Sequence, residues 1–363
     1  MPQKHTSSNS ERQTLLFSAT FPDAMKEITG LAMRKNYELI DTLDENEGDT
    51  NVQVVQKSLV TPMQYHMIAM EHVLQDHIAE QKAANQAYKV IVFFTTARVA
   101  GFMAELFRAD PRYPHYDDTS LLEMHSRKSQ SYRTNVAKKF TNQSNVILFS
   151  SDVSARGVDY PDVTCVLQVG APSEKAQYIH RLGRTARAGA SGVGILLLSD
   201  FEKSFLNELQ DLDVQPITNM TLTEEEARQE RDHMSQMLKK DEGLENSAKA
   251  AYQAFLGYYN SNVRRLKMRG KDELVAIANE FSTIIGFPQG NPPALQAKTV
   301  GKMQLKGTPG LNIESGNGGG GANGDGGAGG AGGAGLGGGT GTVWITSDGA
   351  IATPGTAFEV TAF

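Results

Sequence analysis

The sequence predicts an α/β fold, a doubly wound parallel sheet, with a helical C-terminal extension and a disordered Gly-rich tail. Three observations carry that prediction. Short apolar runs of strand length, Val90–Phe94, Asn145–Phe149, Val163–Val169 and Gly194–Leu198, alternate with helix-length segments, as in a sheet buried on both faces. Past residue 212 helical periodicity takes over. From Gly316 to Gly341 the chain is mainly Gly with Ala and has no arginine, so it lacks a packable core and is expected to be a spacer.

Taken in order, Thr14–Phe17 reads as a buried strand that runs into the small-residue turn Ser18-Ala19-Thr20. Pro22 then opens a helix to about Met33, and Tyr37–Ile40 reads as a second strand. The acidic stretch Asp41–Asn51 contains Gly48 and no apolar period, which is linker composition. Val52–Val60 alternates as a strand, Pro62–Ala84 is a long helix, and Val90–Phe94 is a strand that ends in Thr95 and Thr96. Helices are expected at Val99–Phe107 and Ser129–Phe140. Ser173 reads as the cap of a helix on which His180, Arg184 and Arg187 recur at four-and-three spacing, sharing one face. Beyond residue 212, helices are expected at Thr223–Lys240, Asn246–Leu266 and Asp272–Ile285. The expected divisions are 1–41, linker 42–51, an α/β domain over 52–212, helices over 213–313, spacer 314–341, and a tail 342–363 that could form a hairpin.

Composition narrows the function classes. The 363 residues carry a formal net charge of -6, so any polyanion site has to be a local basic patch. The one cysteine, Cys165, lies in an apolar run; no internal disulfide can form, and a reducing intracellular location is expected. No apolar run approaches the roughly 20 residues of a membrane helix, so no membrane partner is expected. The segment Met1–Glu11 has no apolar core and reads as no secretory signal, and the 8 histidines lack zinc-site spacing.

Four stretches carry candidate chemistry. Ala171–Gly194 gathers His180, Arg181, Arg184 and Arg187 between glycines, just before an apolar strand. Such a cluster is either a solvated face or a site that a polyanion neutralises. Ser150–Val163 holds Ser151, Arg156, Gly157 and Asp159 between two strands, and reads unaided as a salt-bridged loop or a polar site. His125–Phe140 opens a helix with Gln130 and Arg133 and carries five Lys and Arg residues, by default a solvated face. Val90–Thr96 ends in two hydroxyls at a strand exit, where α/β sheets bind ligands.

The string HRLGRTAR at 180–187 resembles the HRxGRxxR motif VI of DEAD-box RNA helicases. In the same order, SAT at 18–20 resembles motif III, VIVFFTT at 90–96 motif IV, Gln130 with Arg133 the QxxR motif, and SSDVSARGVD at 150–159 motif V. The resemblance covers Gln13 to about Leu212 and implies a RecA-like domain that binds ATP with Mg²⁺ and grips RNA by its backbone with little base specificity. It implies that Arg184 and Arg187 act on the γ-phosphate and that Ser18, Thr20 and His180 couple the nucleotide and RNA sites. It further implies that Gly157 and Asp159 bind ATP, with the carboxylate on the ribose hydroxyls, while Thr96, Arg133, Ser151 and Arg156 bind RNA. Departures are Ser126 for the usual glycine, Ser151 for threonine, and Gly170-Ala171 where an aspartate commonly precedes Pro172. With the helical region, these make the chain similar to the organellar and plant-type branch; mitochondrion, plastid, nucleus and cytoplasm all stay open.

No GxxxxGK[ST] loop and no Asp-Glu-Ala-Asp occur in the sequence. The chain therefore reads as the C-terminal part of a helicase, with the metal ligands expected in a first RecA-like domain, supplied in cis or in trans; a protein cofactor is a further expected partner. The alternative is a non-enzymatic RNA-binding or regulatory module. The basic cluster Arg264, Arg265, Lys267, Arg269 and Lys271 either steers RNA phosphates or is a solvated loop.

Overall fold

The computed structural model describes residues 54–112, 119–154, 160–187 and 191–314, together with 14, 29–30, 33, 36–38 and 40. Two units divide the chain, 1–44 with 328–363, and 45–327. In the first, the Met33 N–H donates to the Thr29 carbonyl at 2.9 Å, a helical hydrogen bond inside the helix expected to end there. Of the strand expected at Thr14–Phe17 only Thr14 is described, of the spacer only Glu314, and the tail lies outside the described residues; Tyr37, Glu38 and Ile40, where a second strand was expected, are not in a strand.

The second unit is built on seven parallel strands. They are β1 (Val54–Val60), β2 (Lys89–Phe94), β3 (Ser120–Met124), β4 (Val146–Ser150), β5 (Cys165–Val169), β6 (Gly192–Leu198) and β7 (Val214–Pro216). Helices α1 (His66–Ala83), α2 (Ala97–Ala109), α3 (Gln130–Asn142) and α4 (Lys175–Leu182) make the crossovers β1–β2, β2–β3, β3–β4 and β5–β6. The spatial order is β3-β4-β2-β5-β6-β1-β7, so β2 lies between β4 and β5, and the loops that leave these three strands converge at one end of the sheet.

Side chains alternate across the sheet as the period of two requires. Val90, Val92 and Phe94 of β2 enter one core, and Ile91 and Phe93 enter the other with Val136 and Phe140 of α3. Each such burial stabilises the fold by about 1.5–3 kcal/mol. Two edge strands were not anticipated from sequence. β3 is half-covered and carries Glu123, while β7 is three residues long and ends in Pro216, so neither shows a buried-strand pattern. The sheet therefore continues past residue 212, where the helical region was expected to begin.

The extension is one continuous roof on the first core. After a 3₁₀ segment (Asp200–Leu209) come α5 (Glu224–Lys240), α6 (Glu242–Asn262), α7 (Lys271–Ile284) and the short α8 (Ala297–Lys302). Thr223 and Glu226 form a capping box on α5, and Asp241 accepts from the Leu244 N–H at the start of α6. Leu244, Tyr252, Phe255, Leu274 and Phe281 share a single core with Phe94 of β2 and Phe102 of α2. Tyr259 of α6 lies in this core as well, and Tyr258 packs against it. At the rim, Arg112 joins the buried carboxylate of Asp110 to Glu230 of α5, with His233 2.9 Å from Asp110.

His77 of α1 is buried at the other end of the sheet, its Nε2 2.8 Å from the Thr164 hydroxyl. Burial lowers its pKa from 6.5 to about 4. The unfolded chain thus takes up this proton first, and His77 contributes stability that is present above about pH 6.5 and lost as pH falls toward 4. Urea unfolding is expected to show a loss of about 1–3 kcal/mol over that window, reduced in His77→Gln. An unchanged slope in the variant would assign the acid loss to other groups.

Candidate functional site

The site forms where β4, β2 and β5 end side by side. Register holds the ends level, with Phe93 opposite Ser150 and Phe94 opposite Val169. Arg181 of α4 is 1% exposed and points into this junction. Its Nε donates to Asp152 Oδ1 at 2.7 Å just beyond β4, and its Nη2 reaches the Phe94 carbonyl at 3.5 Å at the end of β2. The guanidinium lies 5.4 Å from the centroid of the Phe93 ring. Gln177, one turn earlier on α4, donates to the same Asp152 oxygen at 2.8 Å. One side chain on the helix that follows β5 thus joins the loop after β4 to the end of β2. Nη1 of Arg181 is buried without a hydrogen-bond partner among the described residues.

The arginine helix is shorter than its spacing predicts. It ends at Leu182, with Gly183 as C-cap, so Arg184 and Arg187 lie on the turn that follows and not on the helix face with His180. Two hydrogen bonds fold the turn back: Arg184 Nε donates to the His180 carbonyl at 3.3 Å, and Arg187 Nε donates to the Gly183 carbonyl at 2.7 Å. Ala186 carries the reversal at φ 50, and the Thr185 hydroxyl donates to the Val163 carbonyl. Ser173 is not the cap; the N-cap is Glu174, without a side-chain capping bond. His180, Arg184 and Arg187 are half-buried.

The flanking glycines have a steric reason. A Cβ on Gly192 would overlap the Thr185 hydroxyl, and one on Gly194 would overlap the Leu182 Cδ1. Their absence lets the helix and its turn lie directly on β6.

Thr96 is the N-cap of α2, its hydroxyl oxygen accepting from the Val99 N–H at 3.2 Å while the hydroxyl proton stays available as a donor. Ser151 is buried after β4, with its N–H on the Met124 carbonyl at 3.2 Å. The preceding Ser150 donates to the same carbonyl at 2.8 Å and lies 2.5 Å from the Ser154 hydroxyl, which stiffens the turn. Arg133, in the first turn of α3, donates to Gln130 Oε1 at 2.6 Å, which joins the two residues of the QxxR pattern. In the same basic run, Lys128 is 2.5 Å from the buried Glu123 and 5.3 Å from the Tyr132 ring. Ser18, Thr20, Arg156, Gly157 and Asp159 lie outside the described residues.

Sequence reasoning missed Asp152, the acceptor that fixes Arg181. It stands inside the same SSDVSARG string, but only the fold brings it to the arginine helix. Among the described residues no group of three His, Cys, Asp or Glu side chains could hold a metal ion, and no helix is long and apolar enough to cross a membrane.

Hydroxyls and guanidiniums gathered at the carboxyl ends of this parallel sheet stand where doubly wound α/β proteins bind their ligands. The family model "Helicase conserved C-terminal domain" matches residues 70–189. Curated relatives include the DEAD-box ATP-dependent RNA helicase 31 of Oryza sativa subsp. japonica, 44% identical over 83% of this chain and 51% of its own length. The protein of that name from Arabidopsis thaliana is 43% identical over 84% of this chain and 40% of its length. Among solved structures, Mss116p bound to ssRNA and AMP-PNP matches at TM-score 0.67 and 26% identity, covering 85% of this chain and 59% of that one. The chain is similar to the C-terminal half of DEAD-box RNA helicases, the RecA-like domain with the helices that follow it. It spans about half the length of the first of these curated relatives and less of the second.

The Gly194–Leu182 fit can be tested by coupling. Gly194→Ala alone is expected to lower stability by about 1–3 kcal/mol through overpacking. Combined with Leu182→Val, the loss measured by urea unfolding is expected to be smaller than the sum of the two single losses by roughly 1 kcal/mol. Strict additivity would show that the two side chains do not compete for space.

Proposed function

We propose that this chain works as the second RecA-like half of an ATP-dependent RNA helicase. In this reading Arg184 and Arg187 face the γ-phosphate, while Thr96, Arg133, Ser151 and Arg156 hold RNA phosphates. The observation that carries it is Arg181, which locks the loops of motifs IV, V and VI into one assembly and sets the turn bearing Arg184 and Arg187 beside it. Two guanidiniums on a braced turn suit the charge that develops on a transferring phosphoryl group. ATP is the fitting nucleoside triphosphate, with Gly157 and Asp159 as its further contacts in this half. Mg²⁺ ligands are assigned to a first RecA-like domain, since among the described residues Asp152 is engaged by Arg181 and no group of three His, Cys, Asp or Glu could hold a metal ion. Ser18, Thr20 and His180 are assigned to coupling between the two sites.

Sequence-independent RNA grip follows from the donors. Hydroxyls and guanidiniums aimed at phosphates leave the bases unread. ATP and RNA would each bridge two halves, so each would favour the closed arrangement that the other needs. A first domain in trans, or a protein cofactor that brings the halves together, would then serve as partner.

Fluorescence anisotropy with single-stranded RNA and phosphate release, with a first RecA-like domain supplied, separate the roles. Arg133→Ala is expected to weaken RNA binding about equally across sequences and to flatten its salt dependence by roughly one phosphate contact. Arg184→Ala and Arg187→Ala are expected to leave RNA affinity nearly unchanged while lowering hydrolysis by on the order of 10³-fold or more. RNA affinity that is indifferent to a nonhydrolysable ATP analogue would favour a plain RNA-binding module instead.

A further inference from the structure

The segment that feeds the arginine helix, Gly170-Ala171-Pro172, makes its hydrogen bonds to residues that lie far along the chain. The Ala171 N–H donates to Glu202 Oε1 at 2.6 Å, and the same oxygen accepts from the Tyr259 hydroxyl at 2.6 Å. The Ala171 carbonyl accepts from the Tyr258 hydroxyl at 2.6 Å. The Pro172 carbonyl accepts from Arg265 Nη1 at 2.6 Å. Arg265 is itself held by Glu208 at 3.0 Å and lies 4.9 Å from the Phe205 ring. It therefore leaves the RNA-steering or solvated cluster expected for its neighbours; Arg264, Lys267 and Arg269 remain on the surface.

The fit is close. Gly170 sits at φ 85, and a Cβ there would lie 2.7 Å from the Thr95 methyl and 2.9 Å from the Tyr259 hydroxyl. Only glycine admits the tyrosine at that distance. Glu202 is buried, and burial raises its pKa, an effect opposed by the hydrogen bonds it accepts from Ser199, Tyr259 and Ala171. The carboxylate facing this loop thus comes from the 3₁₀ segment, in a chain that has no aspartate before Pro172.

We propose that the helical extension positions the arginine helix, with Tyr258, Tyr259 and Arg265, together with Glu202, as positioning residues for Arg184 and Arg187. This rests on the role proposed above for those two arginines. α4 is eight residues long and has no side-chain cap; Gln177 and Arg181 hold it to Asp152 and Tyr178 holds it to Gln56, so the contacts of the extension act on the segment that leads into it. Arg181 pins its far end to the sheet and the extension pins its entry, so an element outside the phosphate-binding motifs sets where the two arginines stand.

Hydrogen–deuterium exchange on the purified chain tests this without ATP. Tyr258→Phe with Tyr259→Phe removes two hydroxyls and keeps both rings, and Arg265→Met removes the third donor. Both variants are expected to raise amide exchange in residues 173–187 by about tenfold, while the slowest amides of β2 and β5 keep their wild-type rates; such local opening is distinct from global unfolding. Arg265→Lys, which can still donate to the Pro172 carbonyl, is expected to restore most of the protection. Unchanged exchange in 173–187 for both variants would overturn the proposal. So would a rise of the same factor in β2 and β5, which marks general destabilisation. Absence of ATP hydrolysis in the experiments of the preceding section would count against the proposed function and leave this readout intact.

Discussion

The arrangement depends on one buried guanidinium. Arg181 is held by Asp152 and the Phe94 carbonyl, so the ends of β4, β2 and β5 cannot separate without stranding a charge. Asp152 is partly exposed and can rehydrate, whereas Arg181 cannot. The asymmetry explains why the arginine, and not the aspartate, lies at the centre of the assembly: its planar fork reaches two loops from a third.

Around that centre, small residues do the spacing. Gly192 and Gly194 let the arginine turn lie on β6, and Gly170 lets the extension reach the loop before α4. The Thr96 hydroxyl oxygen accepts from the Val99 N–H and the Ser150 hydroxyl donates to the Met124 carbonyl, bonds that stiffen the strand exits. Under the function proposed above, such rigidity means that the donors need not reorganise when a phosphate arrives.

Much of the fold was legible from sequence because β2, β4, β5 and β6 are buried on both faces and read as unbroken apolar runs. β3 and β7 escaped because an edge strand tolerates Glu123 and Pro216, residues that argue against a strand in isolation. In the site, motif strings gave Arg184, Arg187 and Arg133, but periodicity misplaced the first two on the helix face, since the C-cap at Gly183 is a local event that spacing does not encode. Asp152, Glu202, Tyr258 and Arg265 gave no such signal. Their roles come from contacts 29 to 93 residues apart in sequence, which only the folded chain brings together.

The single core shared by the sheet and the helices of α5–α8 has a consequence for how this architecture could have grown. Phe255 stacks on Phe281 at 4.1 Å above the same core that receives Phe94 and Phe102. Helices so placed are not a module on a tether, because removing them would expose the apolar surface of α1 and α2 that they cover. Side chains of the roof and of the helices beneath it share that one core, so substitutions in either are constrained by the other, and change in the roof has to proceed by repacking in place.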